Sequence, residues 1–231
     1  MKSNTKIILS IVFTIISIFF ILLSYFEIIR YIQLQYCSSD SYIKAYSNID
    51  PVDQNDRVVI TLTTKLTDLN KLKPVINSLL DQTVRVNQIL VNIPRNTETQ
   101  IPNWLTKAVT INQTGQNYGK LGSIIPTLMR ECESKTRIIV VDDNVIYGKD
   151  FVEKIIESSN EHPNNAIYTK KCDNIEIIET KYGVLIKPEF FKLEDIQNSD
   201  VSIDINPWLT NILKKRYINI TKVNYNESYK F

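Results

Sequence analysis

The chain has 231 residues, enough for one globular core, and its 27 Lys plus Arg are offset by 25 Asp plus Glu. A net charge of +2 creates no field that would gather nucleic acid or an acidic surface, so no nucleic-acid partner is expected. The single histidine, His162 in the turn-like Glu161-His-Pro-Asn-Asn165, excludes His-based triads and His-rich zinc sites, and Gly115, Gly119 and Gly122 form neither G-x-G-x-x-G nor a P-loop.

From Ile7 to Phe26 the chain reads IILSIVFTIISIFFILLSYF, without a charge. At about 1.5 Å per helical residue this run reaches about 30 Å, the hydrocarbon thickness of a bilayer. It is longer than the apolar core of a signal peptide and lacks a small-residue cleavage site. One transmembrane helix over 7–26 is therefore expected, after a short cytosolic tail at 1–6. Lys2 and Lys6 precede it, and Glu27 and Arg30 cancel beyond it. The positive-inside rule then places the C-terminal domain in the lumen or outside the cell. The sequons at Asn112, Asn219 and Asn226 agree with that side and mark candidate glycosylation sites. There, Cys132 and Cys172 either bridge or stay as buried free thiols, and Cys37 is left over.

Residues 27–56 end in the acidic, turn-rich Asn48-Ile-Asp-Pro-Val-Asp-Gln-Asn-Asp56 and read as a stem before a domain at 57–231. Strands are expected at Arg57–Thr63, Asn87–Ile93, Ala108–Ile111 and Thr136–Val141, and helices at Asp68–Leu80, Leu121–Cys132 and Phe151–Ser158. Trp104 and Leu105 fall in a short segment between strands. This alternation predicts an α/β fold with a mainly parallel sheet flanked by helices. Ligands bind beyond the C-terminal strand ends of such sheets. Those ends fall at Thr63-Thr64, Asn92 to Arg95, and Asp142 onward.

The aliphatic strand Ile138-Ile-Val-Val141 delivers Asp142, Asp143 and Asn144 together. Such a cluster suits a hard divalent cation held by one or two carboxylates plus substrate phosphates. By itself the tripeptide is more often a polar turn, where Asp and Asn bond locally to the backbone. Tyr118 fits either stacking on a base or ordinary packing at the domain surface.

The order of these segments resembles a family of small glycosyltransferases with the GT-A fold, a nucleotide-sugar-binding relative of the Rossmann arrangement. The resemblance is carried by Ile60-Thr-Leu-Thr-Thr64, Ser78-Leu-Leu-Asp-Gln-Thr83, Asn92-Ile-Pro94, Ile101-Pro-Asn-Trp-Leu105, Asn117-Tyr-Gly119 with Pro126-Thr-Leu128, and Val141-Asp-Asp-Asn-Val-Ile-Tyr147. It implies a nucleotide-sugar donor and a divalent cation, Mn²⁺ or Mg²⁺. Asp143 would be a metal ligand, Asp142 a contact to the ribose or the metal. Thr63, Thr64 and Asn117-Tyr118-Gly119 would border the nucleotide. A glycan or glycoconjugate would be the acceptor.

Past Tyr182-Gly-Val-Leu-Ile186 the match loosens. Asp204-Ile-Asn-Pro-Trp-Leu-Thr210 is similar to a family segment whose paired acids precede the Trp, but Ile205 and Asn206 stand in their place. Asn144 likewise stands where an acid is usual. The lysine of the family's helix is missing at Ser123, with Lys120 three positions earlier. Asp204 is then the one acid near the position of the general base on the acceptor hydroxyl. It reads equally as an N-cap of a helix over Trp208–Leu213. The alternative is a catalytically inactive, membrane-anchored binding protein of the same fold.

Overall fold

The computed structural model describes residues 2–25, 28–52, 57–95, 100–170, 177–197, 202–223 and 228–230. They fall into two units, Met1–Ser38 and Ser39–Phe231. The first contains helices α1 (Lys2–Tyr25) and α2 (Ile28–Tyr36). From Ile8 to Leu22 the large apolar side chains are bare, with Leu9, Phe13 and Ile21 69, 72 and 65% exposed. Two hydroxyls of α1 bond back to the helix: Thr14 donates to the Ser10 carbonyl and Ser17 to that of Phe13, each at 2.9 Å. Among the described residues no single helix is long and apolar enough to cross a membrane, but Ile8–Leu23 and Ile28–Tyr36 are so together, as a bent pair. The expected span ends at Phe26, outside the described residues.

The second unit is built on a seven-stranded sheet in the order β3-β2-β1-β4-β7-β6-β8. Its strands are β1 (Val58–Thr63), β2 (Gln88–Pro94), β3 (Thr110–Thr114), β4 (Arg137–Val140), β6 (Ala166–Tyr168), β7 (Val184–Ile186) and β8 (Ile220–Lys222). β1 to β4 are mutually parallel where they pair, β7 runs antiparallel to β4 and β6, and β6 is parallel to β8. β5 (Val145–Tyr147) and β9 (Ser228–Lys230) form a separate antiparallel pair. The mainly parallel α/β sheet is as expected.

Side chains alternate across the sheet with the period of a strand. Ile60, Leu62, Ile139 and Val141 pack on one face with Leu72, Ile76 and Leu79 of the preceding turn and of α4 (Lys73–Leu80), and with Phe151 and Ile155 of α7 (Phe151–Glu161). Ile138 and Val140 pack on the other face with Leu121, Leu128 of α6 (Ile125–Arg130), and Trp208, Leu209 and Leu213 of α9 (Ile205–Lys215). Helices cover both faces, which is why β1 and β4 are almost continuously apolar.

Two expected helices are each divided. Leu66–Leu72 is a 3₁₀ turn ahead of α4, and Gly119–Ser123 is one ahead of α6. Pro74 and Pro126 sit in the first turns of those α-helices, where a missing N–H costs nothing but the preceding turn cannot continue in α form. The stem also differs. Residues 39–47 form α3 (Ser39–Ser47) on the second unit, where the buried Tyr46 hydroxyl accepts from Val86 N at 2.8 Å. α5 (Asn103–Ala108) lies beside it, and α8 (Leu193–Gln197) precedes α9.

Cys37 and Cys132 are free and exposed, and Cys172 lies outside the described residues. Asn112 is half-buried on β3 with its Nδ2 donated to Asn92 Oδ1 at 2.7 Å. Asn219 is exposed at the start of β8, and Asn226 lies outside the described residues.

Candidate active site

The parallel strands deliver their C-terminal ends to one edge of the sheet, and the chain folds there into two adjoining cavities. The larger, of about 500 Å³, is bordered by Thr63, Thr64, Pro94, Asn117, Gly119 and Asp143, with Lys65 and Lys120 at its cationic side. The smaller, of about 260 Å³, is bordered by Asp142, Asp143, Thr180, Asp204, Asn206 and Lys120. Thr63, Lys120 and Asp143 border both. Segments as distant in sequence as Thr63 and Asp204 are thus brought together.

Thr63 ends β1 with its Oγ1 donated to the Asn92 carbonyl at 3.0 Å. Gly122 makes its position possible, since a Cβ there would lie 2.7 Å from Thr63 Oγ1. Beneath it, Asn92 Nδ2 donates to Thr61 Oγ1 at 2.9 Å and Thr127 Oγ1 at 3.0 Å, all three residues being buried. This network ties β1, β2 and α6 under the cleft floor and satisfies polar groups that would be costly to bury alone. Asn117 caps its own turn by accepting from Gly119 N at 2.9 Å, and Gly119 follows with φ 54°, a conformation that favours glycine. Tyr118 borders neither cavity: its ring packs on the second core face, with its hydroxyl 3.5 Å from the Met129 sulfur.

The acid cluster does form a turn, with Asn144 N donating to Asp142 Oδ1 at 2.9 Å and Asn144 Nδ2 to Asp143 Oδ1 at 2.6 Å. A buried tyrosine fixes it from behind. Tyr147 hydroxyl accepts from Asp142 N and donates to the Lys181 carbonyl, each at 2.9 Å. Two residues of the Ser-Leu-x-x-Gln segment hold the chain from Tyr147 to Val152. Ser78 Oγ accepts from Tyr147 N at 3.2 Å, while Gln82 donates to the Gly148 carbonyl at 2.7 Å and accepts from Val152 N at 3.0 Å.

Burial pushes the Asp143 carboxyl above the usual carboxylate range, and the charge of Asp142 adds to this; the Thr64 hydroxyl, buried beside it but short of a full hydrogen bond, pulls the other way. Asp204 is held below the usual range, first by the Lys120 ammonium at 2.8 Å and then by the Asn206 N–H at 3.0 Å. It therefore both caps α9 and faces the smaller cavity. Asn206 is engaged elsewhere, its Oδ1 accepting from Thr180 N at 3.0 Å and Thr180 Oγ1 at 3.1 Å. Thr180 and Lys181 carry no local signal in sequence, because the fold alone brings them to the cleft.

The donor set fits a divalent cation that takes most of its ligands from phosphate and water. Asp142 and Asp143 lie beside each other with like charge, and among the described residues no group of three or more His, Cys, Asp or Glu could hold a metal ion by itself.

No family model matches the chain, and no curated protein matches it by sequence. Solved structures do match in fold. Glucosyl-3-phosphoglycerate synthase from Mycobacterium tuberculosis, solved with Mn²⁺, UDP and glucosyl-3-phosphoglycerate, has a TM-score of 0.54 at 10% identity over 85% of this chain and 77% of its own. S. aureus TarS has a TM-score of 0.53 at 12% identity over 75% of this chain, which spans 36% of TarS. TarS 1–349 in complex with UDP gives the same score and identity, with 59% of it covered. The fold is GT-A-like.

Proposed function

We propose that the chain is a membrane-anchored glycosyltransferase that moves a sugar from a nucleotide-sugar donor to a glycan or glycoconjugate, with a divalent cation. The observation that carries this is the convergence of Thr63-Thr64, Asn117, Gly119, Asp142-Asp143 and Asp204 on two adjoining cavities. The larger suits a nucleotide diphosphate by size and by its cationic side, and the smaller an acceptor sugar. UDP and Mn²⁺ in the M. tuberculosis synthase of like fold support the choice of a nucleotide diphosphate and of a divalent cation.

Asp143 with Asp142 would hold the cation, whose charge offsets the diphosphate as it leaves. Thr63 and Asn117 shape the donor cavity. Asp204 borders the smaller cavity, its Oδ1 fixed by the helix cap and its Oδ2 accepting from the Lys120 ammonium at 2.8 Å. There it takes the proton from an acceptor hydroxyl, a role that needs hydrogen-bond reach. The bare apolar surface of α1, with the Thr14 and Ser17 hydroxyls bonded to the helix backbone, supports its burial in lipid; the positive charge of Lys2 and Lys6 ahead of it would put the second unit in the lumen or outside the cell. A second reading, binding without turnover, is favoured by Asn144 and Asn206 standing where acids are expected, with Asn206 committed to Thr180.

The test is calorimetry of the full chain in detergent with a panel of nucleotide sugars, with and without Mn²⁺, followed by an assay for released nucleoside diphosphate. Metal-dependent binding with turnover is expected. Binding without turnover would select the second reading, and no binding would overturn both.

A further inference from the structure

We infer that the Lys120 ammonium is shared between two anions: the Asp204 carboxylate, which it holds in this structure, and the diphosphate of a donor in the neighbouring cavity, so that donor binding releases Asp204 to the acceptor. The inference rests on the donor site proposed above and adds an order of events to it. Among the described lining residues, Lys120 is the one cation bordering both cavities. Lys65 borders only the larger, and Lys181, in the smaller, is already ion-paired with Glu179.

The two partners of the pair differ in freedom. Asp204 is tethered by the cap it makes with Asn206 N at 3.0 Å, so its carboxylate stays where it is. The Lys120 side chain is 66% exposed on a flexible stem, and its reach covers both cavities. An exposed ion pair is weak, whereas a diphosphate offers more than one negative charge and charge-assisted hydrogen bonds. The ammonium therefore transfers when the diphosphate arrives. Asp204 then loses the cation that lowers its basicity, while its position is unchanged. Two ligands that compete for one group are coupled reciprocally, so removing the Asp204 carboxylate must strengthen diphosphate binding through Lys120.

The experiment is a double-mutant cycle on the full chain in detergent, read by calorimetry with UDP, GDP, CDP and ADP in Mn²⁺, using whichever binds best. Lys120→Ala should weaken that nucleotide by about tenfold. Asp204→Asn keeps the capping oxygen and should tighten it by about two- to fivefold. In the Lys120→Ala background Asp204→Asn should have no effect. If Asp204→Asn tightens binding equally in both backgrounds, it acts only by removing a charge and the exchange is refuted. If either single change leaves affinity unaltered, the exchange is likewise refuted while the donor site stands. If the parent chain binds none of the four, the donor-site reading fails and the exchange with it.

Discussion

Gly122→Ala adds one methyl group where the glycine lies against Thr63 at the cleft. Gly122 is buried, and its backbone is outside the positive-φ region, so alanine is not strained there and would by itself gain about 0.4–1 kcal/mol. The added Cβ, however, lies 2.7 Å from Thr63 Oγ1, 3.3 Å from Thr63 Cβ and 3.5 Å from its Cγ2. Thr63 is β-branched and has little rotamer freedom, and turning it away breaks its 3.0 Å hydrogen bond to the Asn92 carbonyl. Overpacking of this kind costs about 1–3 kcal/mol and the lost hydrogen bond about 0.5–1.5 kcal/mol, so against that gain the net loss should be about 0.5–4 kcal/mol. Thr63→Ala removes the first and third contacts and leaves the second, so in that background Gly122→Ala should be near neutral. Urea unfolding followed by the fluorescence of Trp104 and Trp208 measures the four proteins of the cycle. Nucleotide affinity should fall in the single Gly122→Ala variant, because Thr63 borders both cavities. A Gly122→Ala protein as stable as its parent, or one whose cost persists without the threonine hydroxyl, would refute the contact.

Asp143→Ala should abolish metal-dependent nucleotide binding without lowering the urea midpoint, because burial disfavours its charge in the folded state; calorimetry with and without Mn²⁺ reads the first effect. Tyr147→Phe should cost about 1–3 kcal/mol in the same urea assay, since it removes the group that joins Asp142 N to the Lys181 carbonyl. Asp195 is raised by its burial but held lower still by the Lys192 N–H and Arg216, so its net shift is downward. Its contribution is present above the unfolded carboxylate range and lost as pH falls through the lower folded value. The parent should therefore lose more stability than Asp195→Asn between about pH 7 and about pH 3, and equal losses would remove Asp195 from that account. The full-length chain should stay with membranes through alkaline carbonate extraction, and its release would contradict the anchor.

Much of the fold comes from local pattern. Val58 to Leu62, Thr61 apart, and Ile138 to Val141 are apolar on both sides because helices cover both faces, so a buried parallel sheet is legible without coordinates. The strand-end acids are legible too, since Asp142 and Asp143 come directly after an aliphatic run. Helix beginnings are less so: the periodicity runs unbroken through Leu72 and Ile124, and only the prolines after them show where 3₁₀ turns give way to α-helix. α3 has little apolar content, and its place on the second unit depends on Tyr46 meeting the backbone of Val86, a contact with no local signature.

The motifs behind the family resemblance divide into two groups that look alike in sequence. Thr63, Asn117 and Asp143 border the cleft, but Asn92 and Thr127 are spent on a buried network beneath it, and Ser78 and Gln82 on holding the loop after the acids. Asp204 reads in sequence as either base or cap; its two oxygens make the cap and an ion pair, and it borders the smaller cavity. The strands, their burial and the acids at their ends are written in the residues themselves, because these depend on neighbours two to four positions away. That Lys120 meets Asp204 and that Asn206 is taken by Thr180 emerges only when the chain is folded. Contacts across such separations are set by the strand order, which carries no mark in the residues that end up touching.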